Sequence, residues 1–146
     1  MDRMTTEVSF YTGVADRLGY LVRLLRKSQQ AGVRTGVCGP AHLLGRLDGK
    51  LWDAEASIFV PHARWEAAHA GTPLGEHTPI LLSERCVDLP HREVLLNVGA
   101  DMPEGFDEFQ RVLEVVSTDP EQVQAARRRW RRYEELGFKV IHHKVA

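Results

Sequence analysis

Residues 127–133 read Arg127-Arg128-Arg129-Trp130-Arg131-Arg132-Tyr133. Five guanidiniums among two aromatics suit one chemistry above others, the recognition of anions. A guanidinium is a planar fork that grips a carboxylate or phosphate through two parallel N–H donors, and it sheds water at small cost. At helical spacing Arg127 and Arg131 share one flank, and Arg128 and Arg132 share another. The plainer reading is a solvated helix face, with cations near a helix C-terminus adding a little stability. Lysine and glutamate would serve solubility equally well, so a run of arginine asks for more. Trp130 either floors a pocket for an apolar side chain or belongs to the core.

A second stretch has the composition of an interface. Leu51-Trp52 is followed by Ser57-Ile58-Phe59-Val60-Pro61-His62. Trp and Phe beside a proline-ended turn have the character of binding anchors. Against this, Trp52 and Phe59 would also serve to fill the core behind a helix.

Other chemistries fail on spacing. The segment Gly45-Arg46-Leu47-Asp48-Gly49-Lys50-Leu51 is one residue short of a phosphate-binding P-loop. It ends on a leucine, which cannot ligate magnesium, and it sits inside a helical pattern instead of after a strand. The dinucleotide G-x-G-x-x-G pattern is absent. Of the 7 histidines, His62, His69 and His77 are too far apart for one helical turn. His142 and His143 are adjacent, so on a strand they face opposite ways. They read as scattered surface histidines, and no metal site is assigned. Cys38 and Cys86 are distant in sequence and lie in no C-x-x-C pair. Cys86 reads as a small buried hydrophobe, since no nucleophile-elbow sequence surrounds it. No catalytic set and no cofactor are assigned.

These residues need elements to hold them. Val8-Ser9-Phe10-Tyr11 is a short strand ended by Thr12-Gly13. A helix follows, with Leu18, Leu21, Val22 and Leu25 at helical spacing and Gly32 as its stop. Arg34–Cys38 is a buried strand stopped by Gly39-Pro40. Ala41–Trp52 is a second helix. This β-α-β-α alternation favours an open, mainly parallel sheet covered by helices. The stretch 63–77 reads mostly as loop with some helical character. Pro79–Ser83 and Glu93–Val98 are apolar without strict alternation, as strands buried on both faces should be. Phe106–Phe109 is about one helical turn; Arg111–Ser117 fits helix or strand, and its β-branched content and alternation select strand. The last helix has Asp119 as N-cap, Pro120 at N1, Gln122 at N3 and Gly137 as terminator. Val123, Ala126, Trp130 and Tyr133 form its apolar stripe. Phe138–Ile141 closes the sheet as a strand. The fold class is therefore α/β, a Rossmann-like three-layer sandwich of mostly parallel sheet with helices on both faces and no P-loop.

Bulk properties narrow the function classes. The chain has 146 residues and 16.5 kDa, 43% hydrophobic and 27% charged, which suits one globular domain over 1–146 with a core that needs no disulfide staples. A net charge of −1 and a pI near 6.7 give no whole-surface attraction to nucleic acid or to anionic membrane. Met1–Glu7 carries acids and lacks the apolar core of a signal peptide. No stretch of ~20 apolar residues spans a membrane. Two isolated cysteines fit a reducing cytoplasm.

The order of these segments resembles a known family. Phe10-Tyr11 comes near the start, then Leu51-Trp52 and Ser57–His62, then Leu95-Leu96-Asn97-Val98. Glu114-Val115-Val116 follows, and Ala126–Tyr133 precedes Gly137 by four residues. In this order and spacing the chain is similar to the chi subunit of bacterial DNA polymerase III, from about residue 6 to the end. The resemblance implies a small Rossmann-like domain without catalytic activity, an accessory of the clamp-loader assembly. It implies two partners on separate surfaces: the psi subunit, and the acidic C-terminal tail of single-stranded DNA-binding protein (SSB). A repair-type helicase is implied as an alternative occupant of the psi surface, with DNA contacted mainly indirectly.

Mapped residue by residue, the resemblance puts SSB-tail binding on Arg127, Trp130 and Val116, with Arg128 and Arg131 as further cations. Arg127 would clamp a carboxylate, while Trp130 and Val116 receive the tail's terminal aromatic side chain. Some family members carry a lysine one turn before this arginine. Here the position is Val123, and Arg128 or Arg131 is the substitute cation. The psi or helicase surface maps onto Trp52, Phe59, Val60 and Pro61. Two rivals to the adaptor reading stand. One is a nucleic-acid module using the arginine-rich helix directly on phosphates, with affinity falling steeply with salt. The other is an enzyme using the crevice near Gly39 or Gly99 at the strand ends.

Overall fold

A computed structural model describes residues 6–53 and 60–145. Among the described residues seven strands form one sheet: β1 (Glu7–Val14), β2 (Thr35–Cys38), β3 (His62–Arg64), β4 (Ile80–Ser83), β5 (Val94–Asn97), β6 (Arg111–Ser117) and β7 (Lys139–Lys144). Their spatial order is β3-β4-β2-β5-β6-β1-β7, and every neighbouring pair is parallel. The helices are α1 (Arg17–Gln30), α2 (Ala41–Trp52), α3 (Pro73–His77) and α4 (Pro120–Glu135). Short 3-10 turns cover residues 67–69, 86–88 and 106–108. The expected α/β sandwich is thus present, and its described strands are parallel throughout.

Connectivity explains the layers. From β1 the chain travels through α1 toward the β3 edge of the sheet; from β6 it travels through α4 to the opposite edge. Right-handed crossovers in opposite directions place their helices on opposite faces. The core divides accordingly. Leu21, Leu25, Leu44, Leu47 and Leu51 from α1 and α2 pack with Val37, Ile80, Leu82, Leu96, Leu113 and Val115. On the other face, Ala126 and Tyr133 from α4 pack with Val8, Phe10, Leu81, Leu95, Val112 and Val116. Alternate residues of one strand serve opposite clusters, which is why β4 and β5 are buried at every position and apolar in runs. The edge strand β7 is mostly exposed and is the more polar for it.

Local sequence accounts for the ends of the elements. Asp16 caps α1 by accepting from the Gly19 N–H at 3.0 Å, a standard N-terminal device. Gly32, at φ +73°, follows α1 in the left-handed region, and Gly137, at φ +88°, follows α4. Asp119 occupies the N-cap position of α4 without a side-chain cap bond. Instead Gln122 Oε1 reaches back and accepts from the Ser117 N–H at 3.2 Å.

Two expectations are corrected. β1 does not end at Thr12-Gly13 but runs on to Val14, with a shift of register between Tyr11 and Val14 where Gly13 takes φ +75°. Pairing with two neighbours carries the strand through a glycine that ends it locally. The stretch 63–77 is not mainly loop: it supplies β3, a 3-10 turn and α3. β3 is a three-residue edge strand defined by pairing with β4, a tertiary contact with no local signal. No helix among the described residues is long and apolar enough to cross a membrane.

Candidate functional site

The arginine run of α4 divides three ways. Arg127 and Arg131 face a cleft of about 520 Å³ between α4 and the sheet. Its floor is Val116 of β6 with Phe10 and Thr12 of β1; its far wall is His142 of β7. The helix contributes Val123, Ala126, Arg127, Trp130, Arg131 and Glu134. Alternation puts Phe10 and Thr12 on the same side of β1, and the parallel register sets Phe10 beside His142.

The aromatic side of the cleft is well braced. Trp130 lies with its ring centroid 5.0 Å from Phe10, tilted at 40°, and 5.4 Å from His142, edge-on at 84°. His142 Nε2 stands 2.6 Å from Thr12 Oγ1. These contacts leave Trp130 partly exposed as a flat apolar wall. Arg127 and Arg131 are exposed and have no ion-pair or hydrogen-bond partner among the described residues. The cleft therefore offers a net basic rim, two arginines against the one carboxylate of Glu134, over an apolar floor, the complement of an anionic group attached to an apolar side chain.

Arg128 belongs elsewhere. It lines the groove on the other side of α4, with Arg17, Gly99, Asp119 and Glu121. Of the two substitutes for the lysine position, Arg131 lies in the basic cleft and Arg128 does not. Val123 adds to the apolar part of the cleft.

Arg129 is not part of a solvated face, as the run suggested. It is only 7% exposed. Its Nε lies 3.1 Å from both oxygens of Glu114, its Nη2 is 3.0 Å from Oε1, and its Nη1 donates to the Ala100 carbonyl at 2.7 Å. Asn97 Nδ2 and Tyr133 OH also donate to Glu114, at 3.1 and 2.9 Å. Burial pushes the Glu114 carboxyl upward, and the Arg129 charge and these donors oppose that shift. The Tyr133 phenol is pushed up by burial and by the adjacent carboxylate. Helical spacing held the signal: residue 129 falls between Ala126 and Tyr133 on the buried stripe. Thr12 and His142 were also missed, and only strand pairing brings them to the cleft.

The second predicted surface is less complete. Trp52, at the end of α2, is 62% exposed and so is not core filler. Its ring lies 5.2 Å from that of His62. Pro61 is exposed, whereas Val60 is 1% exposed and belongs to the core on the α1 and α2 face. Phe59 lies outside the described residues.

The remaining titratable candidates have structural settings. His62 and His91 are buried, contrary to the reading of the histidines as surface residues. His62 stands 2.7 Å from the Val60 carbonyl through Nδ1 and 2.9 Å from Asp48 through Nε2. His143 stacks on Tyr11 at 4.6 Å, on the opposite side of β7 from His142. Cys38 and Cys86 are free, buried thiols. No group of three or more metal-ligating side chains occurs among the described residues. The Gly45–Lys50 segment is helical, within α2.

Fold and cleft together define a parallel α/β sandwich with a basic, aromatic-walled groove beside its last helix. The sequence model of the DNA polymerase III chi subunit (HolC) matches residues 4–141. The chain is also 31% identical over 146 residues to the DNA polymerase III subunit chi of Pseudomonas aeruginosa, covering 96% of this chain and 97% of that protein. It belongs to the chi-subunit family of DNA polymerase III, and so to the accessory proteins of DNA replication.

Proposed function

We propose that this chain is a non-catalytic adaptor that links the polymerase III assembly to SSB-coated template in the cytoplasm. The cleft beside α4 takes the acidic C-terminal tail of SSB. Arg127 clamps a carboxylate, Trp130 and Val116 receive the terminal aromatic side chain, and Arg131 supplies the further charge. Arg128, on the opposite flank, steers the tail at longer range. The surface around Trp52 and Pro61, which the family resemblance extends to Phe59, takes the psi subunit of the clamp-loader assembly or a repair-type helicase. Val60, buried in the core, supports the exposed Pro61 beside it. One observation carries the reading: two arginines without a partner among the described residues stand over a groove floored by Phe10 and Val116 and walled by Trp130.

The test is calorimetric titration with a synthetic peptide of the SSB tail at low and moderate salt, for wild type and Arg127→Ala. The expected result is binding by wild type that weakens with salt and is lost in the variant. Failure of the wild type to bind the peptide, with retention of single-stranded DNA instead, would transfer the function to direct phosphate recognition.

A further inference from the structure

We propose that His142 is a further recognition residue of the basic cleft, giving its β7 wall a proton-dependent positive charge that strengthens the grip on an acidic peptide. This rests on the cleft being the acidic-tail site.

Three observations converge on His142. It lines the cleft opposite Arg127 and Arg131, so its charge lies across from theirs and would flank a bound carboxylate from the other side. Its ring is oriented and not free to swing, held edge-on to Trp130 at 5.4 Å and by the 2.6 Å contact between Nε2 and Thr12 Oγ1. It is solvent-exposed, so protons reach it. In the imidazolium form both ring nitrogens donate; Nε2 then donates to the Thr12 hydroxyl, and Nδ1 is left to donate to a ligand.

The surrounding groups make this the switchable charge of the site. Arg127, Arg131 and Glu134 face the cleft from α4. β1 contributes Phe10 and Thr12, neither of which titrates. Lys144 stands two positions further along β7, on the same side by alternation. Guanidiniums, ammoniums and peptide carboxylates keep their charge between pH 6 and 8, whereas imidazole is the side chain that changes in that range. A carboxylate ligand favours the charged ring, so by linkage its binding takes up protons and tightens as pH falls.

The probe is an acidic peptide with an aromatic C-terminal residue and a free carboxylate, titrated at pH 8.0, 7.0 and 6.0 at constant ionic strength. Wild-type affinity should rise about threefold from pH 8 to 6, the size of an exposed charge pair. His142→Gln, which preserves a polar contact to Thr12, should flatten that dependence. His143→Gln, on the other face of β7, should keep it. Wild-type binding that does not vary with pH, or varies equally in His142→Gln, overturns the proposal while leaving the acidic-tail reading intact. Absence of wild-type binding at every pH overturns both.

Discussion

Arg129 of α4 holds both carboxylate oxygens of Glu114, the central residue of β6, inside the protein, with Nη2 3.0 Å from Oε1 and Nε 3.1 Å from each oxygen. Glu114 is fully buried between Val112 and Val116 on the face that α4 covers. Four side-chain N–H and O–H donors from Asn97, Arg129 and Tyr133 converge on it, which is the surrounding of an ionised carboxylate. The pair sets the rotation of α4 about its axis. With residue 129 turned inward, residues 127 and 131 are turned toward the cleft and 128 away from it.

Removing either partner leaves a buried charge uncompensated. Arg129→Ala should therefore destabilise the protein by about 3–5 kcal/mol, read as a shift of the urea unfolding midpoint. Arg129→Lys should recover only part of this, because an ammonium cannot make the two-point contact. A loss of less than about 1 kcal/mol for Arg129→Ala would show that the pair does not anchor α4.

The two flanks of α4 should differ in peptide binding. Arg131→Ala removes a cation from the cleft and should weaken the SSB-tail peptide about fivefold, with a smaller salt dependence than wild type. Arg128→Ala removes one from the opposite groove and should change affinity by less than about twofold. Equal losses would mean that the helix acts through its general field, as a phosphate-binding helix would.

His91 couples stability to pH. Both its ring nitrogens are buried without a hydrogen-bond partner among the described residues. Burial, reinforced by the charges of Arg34 and Arg92, lowers its pKa to about 4. The unfolded chain then binds a proton near the ordinary histidine value while the folded protein does not. The contribution is complete above about pH 6.5 and is lost as pH falls from there toward 4, amounting to at most about 3 kcal/mol. Urea midpoints at pH 7.5, 6.0 and 5.0 should fall more steeply for wild type than for His91→Leu. Parallel curves would remove His91 from the account.

Trp52 separates binding from folding. At 62% exposure its replacement by alanine should cost no more than about 1 kcal/mol of stability. Co-purification with the psi subunit or the helicase should nevertheless fall, since large aromatics carry much of an interface's energy. Retention of the partner by Trp52→Ala would move that interface away from the end of α2.

Much of this protein was legible along the chain. Buried parallel strands are apolar runs, and β4 and β5 were legible as such, while β6 was legible from its β-branched content and alternation; α1 and α4 carried helical periodicity and a terminating glycine. Arginine chemistry beside Trp130 pointed to an anion site, and order and spacing along the chain pointed to the chi family. What remained depended on contacts between distant segments. β3 exists because it pairs with β4, and β1 passes Gly13 because β6 and β7 hold it. The stripe of Ala126 and Tyr133 marks Arg129 as the inward member of the arginine run, but its buried partner, Glu114, is 15 positions away in sequence and only the fold brings it there. Nor could the chain alone show that Thr12 and His142 share a cleft with Arg127. Local sequence sets the period and termini of an element, because those depend on neighbours three or four residues away. The composition of a site depends on which faces meet across the sheet, and that follows only when strand order and register are formed.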